Sequence, residues 1–389
     1  MNNLFNRRAL VAIIAAGAAA NAMAVQPKPV KISEGITLTP TLESELRYDD
    51  NIYEANVSDS SSWVASISPN LLLDSVQGRA HYQLGYSFDT ELFDHSDQDS
   101  DTDHFLKASA EIGINRSNRL SLNANYSRVE NVADTSVVGE NDKFETSRVA
   151  AIYGLGNPSG LLSLDIGANH EWFRTFNSGT INRDREYDKP GFNATGYYRL
   201  GPKTRALLEY RYDDYDYLQA FPHLDSDKNT VLVGVIWSAT RQTTGSLKFG
   251  QEKRDFDDAG KKDRDGSTWE ADVLWQPGPR STLSIGGQKG TEEGSVTEDL
   301  IDATRARVSL YHELSRTMSL DTFYRFSDED YQDLVGREDE VNEAGISLRY
   351  NSSRWMSVGI GYTYKDRDSN QSIRDYDRNV YMINLNLSL

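Results

Sequence analysis

The chain has 389 residues, 59 of them acidic and 41 basic, with a formal net charge of -18 and no cysteine. The acidic balance disfavours nucleic-acid binding, which depends on cationic contacts to phosphate, and the lack of cysteine fits assembly in an oxidising compartment. Hydrophobic residues make up only 38% of the chain beside 21 Tyr, 6 Trp and 28 Gly, which suits a barrel with a watery interior better than it suits a helical membrane protein.

Residues 1–24 have the features of a secretory signal peptide. Two arginines stand near the start, an apolar core follows at 10–20, and a small-residue cleavage site ends at Ala24. The core is shorter than the about 20 residues that a membrane-spanning helix needs. We therefore expect cleavage after Ala24, a short periplasmic leader over residues 25–34, and export to the outer membrane of a Gram-negative bacterium.

From residue 35 onward, apolar and polar side chains alternate. Successive side chains of a strand point to opposite faces, so the pattern predicts strands with one apolar and one polar face. The boundaries near 257–266 and 291–302 are blurred, which sets the count at about eighteen, with a range of sixteen to eighteen. The predicted strands lie near residues 36–48, 63–73, 80–88, 104–114, 119–130, 144–155, 161–173, 190–200, 205–212, 229–239, 244–256, 267–276, 281–290, 303–314, 318–327, 341–350, 354–365 and 378–389.

Long, acidic connections alternate with tight ones that carry Gly, Pro or Asn. Outer-membrane barrels have short periplasmic turns and long external loops. The alternative is a soluble β-sandwich or propeller, and a soluble sandwich has no reason to separate loop lengths. The sequence therefore predicts an all-β fold, a single transmembrane antiparallel up-and-down β-barrel over residues 35–389, with membrane lipid and lipopolysaccharide as its surroundings. The long connections are expected at 49–61, 94–103, 131–143, 176–189, 213–228, 257–266, 291–302, 328–340 and 366–377.

The final strand has an apolar face made of every second residue. Its members are Tyr381, Ile383, Leu385, Leu387 and Leu389. We expect this face to meet lipid. The pattern is also typical of the C-terminal assembly signal that bacterial outer-membrane barrels present to their assembly machinery, except that Leu389 stands where an aromatic residue, most often Phe, is usual.

Tryptophans on the apolar faces lie near predicted strand ends, and we interpret them as candidates for the aromatic girdles at the two membrane interfaces. Trp269 and Trp275 are six residues apart, about 20 Å along a strand, which suits an apolar band about 25 Å tall. The alternative is that they are core aromatics of a soluble sheet. The girdle candidates are Trp63, Trp172, Trp237, Trp269, Trp275 and Trp355.

The polar faces carry many charges, which we predict to line a wet lumen of mixed sign. Charges on the inner wall of a wide barrel remain hydrated and need no individual partner. They either brace the wall with ion pairs or contact a passing solute. The lumen candidates are Glu43, Glu45, Arg47, Asp89, Glu91, Glu111, Asp165, Glu209, Arg211, Glu270, Asp272, Arg305, Arg307, Asp321, Arg325, Glu343 and Arg349.

Two segments echo one another, each at the end of an outward-running strand. The first motif is Arg47-Tyr48-Asp49-Asp50-Asn51-Ile52-Tyr53, and the second motif is Arg211-Tyr212-Asp213-Asp214-Tyr215-Asp216-Tyr217. We interpret both as girdle edges, at which Tyr meets the interface and Asp starts the loop, rather than as binding sites.

No metal site, catalytic residue or cofactor is predicted. The alternating aspartates at 97–103 resemble a calcium loop, but Thr102 and Ala108 occupy the positions at which an EF-hand requires Gly and Glu. Six histidines are present, and no short catalytic motif singles one out. The chain is therefore not expected to be an enzyme.

Three groups of residues carry a resemblance to a known family. They are Tyr48-Asp49-Asp50-Asn51-Ile52-Tyr53, then Ser68-Pro69 with Leu71 and Leu73, then Leu84-Gly85-Tyr86. On these residues the chain resembles a β-barrel porin family encoded among exopolysaccharide and capsule genes of Gram-negative bacteria. The resemblance implies an outer-membrane barrel that serves polysaccharide export or surface assembly, with polysaccharide and export-system proteins as partners, and it supplies no catalytic residues.

Three alternatives to polysaccharide export stay open. The barrel could be a general porin for hydrophilic solutes, a loop-plugged barrel that anchors surface polymer, or, least favoured, a lipid- or polymer-modifying enzyme. The acidic excess predicts an interior that admits neutral or cationic sugars more readily than anionic polymers.

Overall fold

The computed structural model describes residues 28–56, 60–132, 140–179, 182–219, 223–238, 242–294, 300–332 and 336–388. The expected signal peptide and Leu389 lie outside these residues. In this part of the chain, no helix combines the length and the apolar character that a membrane crossing requires.

The described chain is almost entirely β-strand, with single 3-10 turns at Arg183–Arg185 and Ser372–Arg374. In chain order the strands are β1 (Val30–Ser33), β2 (Ile36–Asp49), β3 (Ser62–Gln77), β4 (Ala80–Phe93), β5 (Asp101–Gly113), β6 (Asn118–Asn131), β7 (Asp142–Leu155), β8 (Leu162–Thr175), β9 (Tyr187–Gly201), β10 (Thr204–Tyr217), β11 (Ser226–Trp237), β12 (Thr243–Phe256), β13 (Arg264–Gly278), β14 (Ser281–Glu293), β15 (Leu300–Glu313), β16 (Met318–Gln332), β17 (Glu338–Asn351), β18 (Met356–Ser369) and β19 (Tyr376–Ser388).

Strands β2 to β19 form one closed ring. Each pairs antiparallel with the next in the chain, and β19 pairs antiparallel with β2. We call the β19–β2 junction the seam, because it is where the two ends of the barrel sequence meet. The prediction of a closed, eighteen-stranded, antiparallel barrel is confirmed.

The strands run further toward the long-loop side, the outer end of the barrel, than the sequence predicted. Strand β10 continues five residues past its predicted end at 212, and β16 continues five past 327. The extension of β16 is polar on both faces, at Asp328 on one and Glu329 on the other, so the apolar alternation stops while the backbone ladder continues. The predicted long connections are therefore too long, and 213–228 shrinks to 218–225.

The alternation of side chains fixes an outward apolar face and an inward polar face. In β19, Tyr381 and Ile383 are exposed whereas Asn384 and Ser388 are buried. Because paired residues of neighbouring strands share a face, this assignment propagates around the whole ring. Apolar side chains thus cover the outside, as a barrel in lipid requires.

Part of the expected leader joins the sheet. Strand β1 pairs with the first residues of β2, Val30 opposite Leu38, while β19 ends opposite Thr41. Gly35 turns the chain between them with a φ of 73°, and a Cβ there would lie 2.6 Å from the carbonyl oxygen of Val76. Strand β1 therefore lies beyond the end of β19 and pairs with the inner end of β2, next to the seam.

Candidate functional site: the lumen wall and its outer mouth

The register places every one of the predicted lumen candidates on the same face of the ring. That face is concave, because Arg211 on β10 contacts Glu270 on β13, three strands away. Three strand spacings amount to about 14 Å, which two side chains bridge only on the inside of a curved wall. The charged candidates accordingly point into the barrel.

Four inward side chains from β10, β12 and β13 form a compact neutral network. The Arg211 guanidinium donates to Glu270 at 2.5 and 3.1 Å and to Glu209 at 2.7 Å. Lys248 donates to both carboxylates at 2.9 Å. Two cations and two anions cancel here, so this part of the wall is braced and carries no net charge.

The wall from β14 to β17 is also mostly paired. Arg325 lies 2.7 Å from Glu343, and Arg349 lies 3.7 Å from Asp321. Arg305 contacts Glu292 and Glu329. Arg307 lies opposite Arg325 in the ladder and forms no ion pair with the other described residues.

One part of the remaining wall, on β2, β4 and β5, is strongly acidic. We call its six inward carboxylates the acidic wall: Glu43, Glu45, Asp89, Glu91, Asp101 and Asp103. Asp89 lies directly opposite Asp103, and Glu91 directly opposite Asp101. Such like-charge pairs destabilise a sheet when both carboxylates are ionised.

Arg47 forms the ion pairs of this wall among the described residues, and Arg349 interacts electrostatically with Glu43. The Arg47 guanidinium donates to both oxygens of Glu91 at 2.6 and 2.7 Å and lies 3.6 Å from Glu45. Asp89 accepts a hydrogen bond from the Ser68 hydroxyl at 2.7 Å. In the described parts of the chain, no group of three or more His, Asp or Glu residues is arranged to hold a metal ion.

Asp101 and Asp103 were missed as lumen residues, because the sequence placed them in a loop that ended at 103. They belong to β5, and Asp103 accepts a hydrogen bond from the Glu130 backbone N–H at 2.9 Å. Their period-two spacing is the signal that could have placed them on one face of a strand. Two other candidates contact inward neighbours: Asp165 binds Arg119, and Glu111 accepts from Ser121 at 2.6 Å.

The lumen is more open at mid-height than at its outer rim. The side chains of Arg148 and Arg325, near the middle of their strands, keep 42% and 26% of their surface exposed, whereas those of Arg254 and Asp339 near the rim keep none. A solid core would bury all four. The middle of the barrel is therefore accessible to water.

Two loops narrow the outer mouth from different sides. Ile52, in the loop after β2, packs against Val64 and Phe93. Leu224, in the loop after β10, packs against the three tyrosines Tyr187, Tyr215 and Tyr217. Both loops fold inward over the wall, and they therefore cover part of the lumen at its outer end.

The six girdle candidates lie on outward positions or at strand ends. Trp63, Trp275 and Trp355 are exposed, and Trp172, Trp237 and Trp269 are half-buried. Exposure of three tryptophans is incompatible with a soluble core. Trp269 lies across Gly287, whose added Cβ would meet the indole at 2.8 Å.

A second set of outward aromatics was not predicted as a group. Tyrosine hydroxyls on the outward face donate to side chains of the following strand: Tyr210 to Asn229, Tyr362 to Asn379, and Tyr364 to Asp377, at 2.6 to 2.7 Å. Rings that meet lipid while their hydroxyls meet polar groups are typical of the membrane interface.

The family described as "Putative beta-barrel porin 2" has a model that matches residues 35–389. The chain belongs to this family. It is a porin-like outer-membrane β-barrel, and porins are channels rather than enzymes. The resemblance found in the sequence is thereby confirmed as to family, while the association with polysaccharide genes is not.

Solved porins have a similar fold at low sequence identity. A BenF-like porin from Pseudomonas fluorescens Pf-5 is 11% identical, with a TM-score of 0.52 over 92% of this chain and 100% of that chain. Pseudomonas aeruginosa OccK2 (OpdF) is 12% identical, with a TM-score of 0.50 over 92% and 98%. No protein with a curated function matches the chain.

Proposed function

We propose that the protein is a passive outer-membrane channel for small hydrophilic solutes that favours cations and neutral molecules over anions. The acidic wall carries this proposal: it has six inward carboxylates, of which Glu91 and Glu45 have a nearby cation in Arg47 and Glu43 interacts with Arg349. A negative patch in a low-dielectric wall concentrates cations and repels anions. The described networks on β10 to β17 are mostly paired with opposite charges, so the acidic wall is a local source of negative potential.

Export of a polysaccharide, the role that the family resemblance implies, has no support in the features of the wall. A general porin requires only the wet, closed barrel and its charge. A loop-plugged barrel is the second candidate, because the inward loops already narrow the outer mouth. Measurement of conductance separates these three possibilities.

The test is the reversal potential of single channels in a planar bilayer under a KCl gradient. We expect cation selectivity in the native protein and weaker selectivity in Asp89→Asn/Asp103→Asn, because two carboxylates that face each other are removed. Asp227→Asn is the matched control: Asp227 accepts from Tyr212 on the outward face, so its loss should leave selectivity unchanged.

Anion selectivity in the native protein would contradict the proposal. A folded protein without conductance would favour the plugged barrel. Liposome swelling with neutral, cationic and anionic sugars extends the test to solutes, and exclusion of all small sugars alongside passage of a long neutral polymer would favour polysaccharide export.

A further inference from the structure

The seam is the one junction of the ring whose two strands do not follow one another in the chain. In every other ladder a direct connection holds the two strands together and limits their register. The seam ladder has nine residue pairs, from Val380 opposite Asp49 to Ser388 opposite Thr41, against fourteen for β2 with β3. Something other than a turn must set the register of β19 against β2.

The acidic residues of the first motif bind across this seam. Asp49 is fully buried and accepts from Arg378, with Nε at 3.0 and 3.1 Å and Nη2 at 2.5 Å. Asp50 accepts from the backbone N–H of Asn379 at 2.6 Å and from its side-chain amide at 2.8 Å. Asn51 donates its side-chain N–H to the carbonyl oxygen of Asp377 at 3.0 Å.

Glu54 adds a second layer of contacts above these. Its carboxylate accepts from Lys365 at 2.6 Å and from Tyr376 and Arg378, each at 2.7 Å. Burial alone would raise the pKa of Glu54, but the positive charges of Lys365 and Arg378 lower it to about 2. The side chain is thus ionised at any physiological pH.

The backbone around Glu54 is held in an unusual conformation. Its φ is 52°, a left-handed value uncommon for a residue with a Cβ. Asn51 and Ala55 fix the turn with reciprocal hydrogen bonds of 3.0 and 3.1 Å. Strained backbone persists only where surrounding contacts over-determine it, and these are the contacts that aim Glu54 at the last hairpin.

We propose that Asp49–Glu54 is a clasp that closes the barrel, an acidic receptor on the first hairpin that binds the outer end of the last hairpin and fixes the register of the seam. A slip of β19 by two residues would preserve the inward and outward faces, so the apolar pattern cannot forbid it. The same slip would carry Arg378 and Asn379 about 7 Å away from Asp49 and Asp50. The buried carboxylates would then lack partners, which makes the slipped barrel unfavourable.

The clasp forms only when the two ends of the barrel meet. The cations that bind Asp49 and Glu54 across the seam, Lys365 and Arg378, belong to the last hairpin, so these ion pairs cannot form within the first hairpin alone. The proposal concerns assembly and does not depend on which solute, if any, passes through the lumen.

The experiment compares Asp49→Asn/Glu54→Gln with the matched control Asp213→Asn, the corresponding aspartate of the second motif, which lies far from the seam. Two readouts are taken on the refolded, full-length barrel. The first is the temperature at which the folded form converts to the unfolded form on a semi-native gel. The second is disulfide formation between cysteine pairs placed in the cysteine-free chain, Ser44→Cys/Leu385→Cys for the native register and Ser44→Cys/Ile383→Cys for a slipped one.

We expect the clasp variant to convert roughly 5 to 10 °C lower and the control to stay within about 2 °C of the native protein. Cross-linking of the native pair should fall in the clasp variant while that of the slipped pair rises. Native conversion temperature together with unchanged cross-linking would overturn the proposal, and so would an equal loss in the control. If the clasp variant does not fold, the oxidised Ser44→Cys/Leu385→Cys pair should restore folding to it; failure of that rescue, with the same pair folding normally in the native background, would also overturn the proposal.

Discussion

The first and second motifs share Arg-Tyr-Asp-Asp and differ in almost everything that their aspartates do. In both, the arginine points inward to a glutamate on another strand, Glu91 or Glu270. In the first motif Asp49 is buried against Arg378. In the second, Asp213 forms no hydrogen bond or ion pair in the described part of the chain. One tetrapeptide therefore closes the barrel at one place and merely continues a wall at the other.

The neighbours of each motif account for the difference. Strand β10 lies between two hairpin partners whose ladders accompany it to Asp214 and beyond, so it stays extended to Tyr217. Strand β2 has a hairpin partner on one side and the last strand of the chain on the other, and it ends at Asp49. The side chains that follow are then free to bind the last hairpin. The local sequence sets the faces of a strand, and its position relative to the seam sets the partners.

Removal of the arginine from each region should give the largest contrast. Arg378 and Arg211 are similarly exposed, at 23% and 25%. Arg378→Ala leaves the buried Asp49 without a cation, which should cost about 3 to 5 kcal/mol. Arg211→Ala leaves Glu209 and Glu270 with Lys248 at 2.9 Å from both, and should cost about 1 to 3 kcal/mol.

The free energy of unfolding, measured by urea titration of both variants in lipid vesicles, checks this difference. Equal losses of unfolding free energy would mean that Arg378 at the seam contributes no more to stability than Arg211 on the wall. That result would remove the contrast between the two motifs.

The next largest effect should be a pH dependence of stability that arises at the seam. Glu54 has a pKa lowered to about 2, against an ordinary value near 4.3. A lowered carboxyl pKa stabilises the folded state fully above the ordinary value, and this contribution is lost as the pH falls through the range from about 4.3 to about 2. The native protein should lose up to about 3 kcal/mol over that range relative to Glu54→Gln.

The measurement is the difference in unfolding free energy between the native protein and Glu54→Gln at pH 6, 4 and 2.5. Taking the difference cancels the other carboxyl groups that titrate in both proteins. A difference that stays constant across the three values would show that Glu54 is not held by cations at the seam.

The barrel can be predicted well from the sequence because the pattern that encodes it is local to each strand. Alternate contact with lipid and water leaves a period-two pattern that needs no knowledge of partners, and it located all eighteen strands and the inward face of residues as distant as Glu43 and Arg349. It failed at the outer strand ends. There, water contacts both faces of a strand, as around Asp101 and Asp103, and the alternation of apolar and polar residues that marks contact with lipid is lost.

The clasp could not be predicted in the same way because its cause is not local. Asp49 and Arg378 are 329 positions apart, and only closure of the ring brings them together. The available signal was complementarity: an acidic Asp49-Asp50 at the end of the first strand and Asp377-Arg378-Asn379 at the start of the last. The interpretation of the first motif as a girdle edge holds for the outward Tyr48 and misses the aspartates.

Two buried tyrosines offer a finer contrast between the regions. Tyr376 and Tyr215 are 5% and 6% exposed, and each has an arginine near its ring. The Tyr376 hydroxyl donates to ionised Glu54 at 2.7 Å, while the Tyr215 hydroxyl has no hydrogen bond among the described residues. Tyr376→Phe should therefore cost about 1.5 to 3 kcal/mol, and Tyr215→Phe less than about 0.5 kcal/mol.

Unfolding in urea at pH 7 measures both changes. Tyr376→Phe in the Glu54→Gln background is the control, and it should cost clearly less than in the native background because the charged acceptor is gone. A full cost in that background would place the effect in ring packing instead of in the clasp.

The smallest predicted effect concerns the outward tyrosine of each motif. Here the second motif, and not the first, should be the more sensitive to substitution. The hydroxyl of Tyr212 donates to Asp227 on the next strand, whereas Tyr48 packs its ring on Trp63 at 5.4 Å and makes no hydrogen bond in the described residues. Tyr212→Phe should cost about 1 kcal/mol, and Tyr48→Phe about 0 to 0.5 kcal/mol, by the same urea titration in vesicles. If Tyr48→Phe cost more than Tyr212→Phe, the first motif would stabilise the barrel through its lipid-facing edge. The assignment of the clasp to the inward face and of the girdle to the outward face would then be wrong.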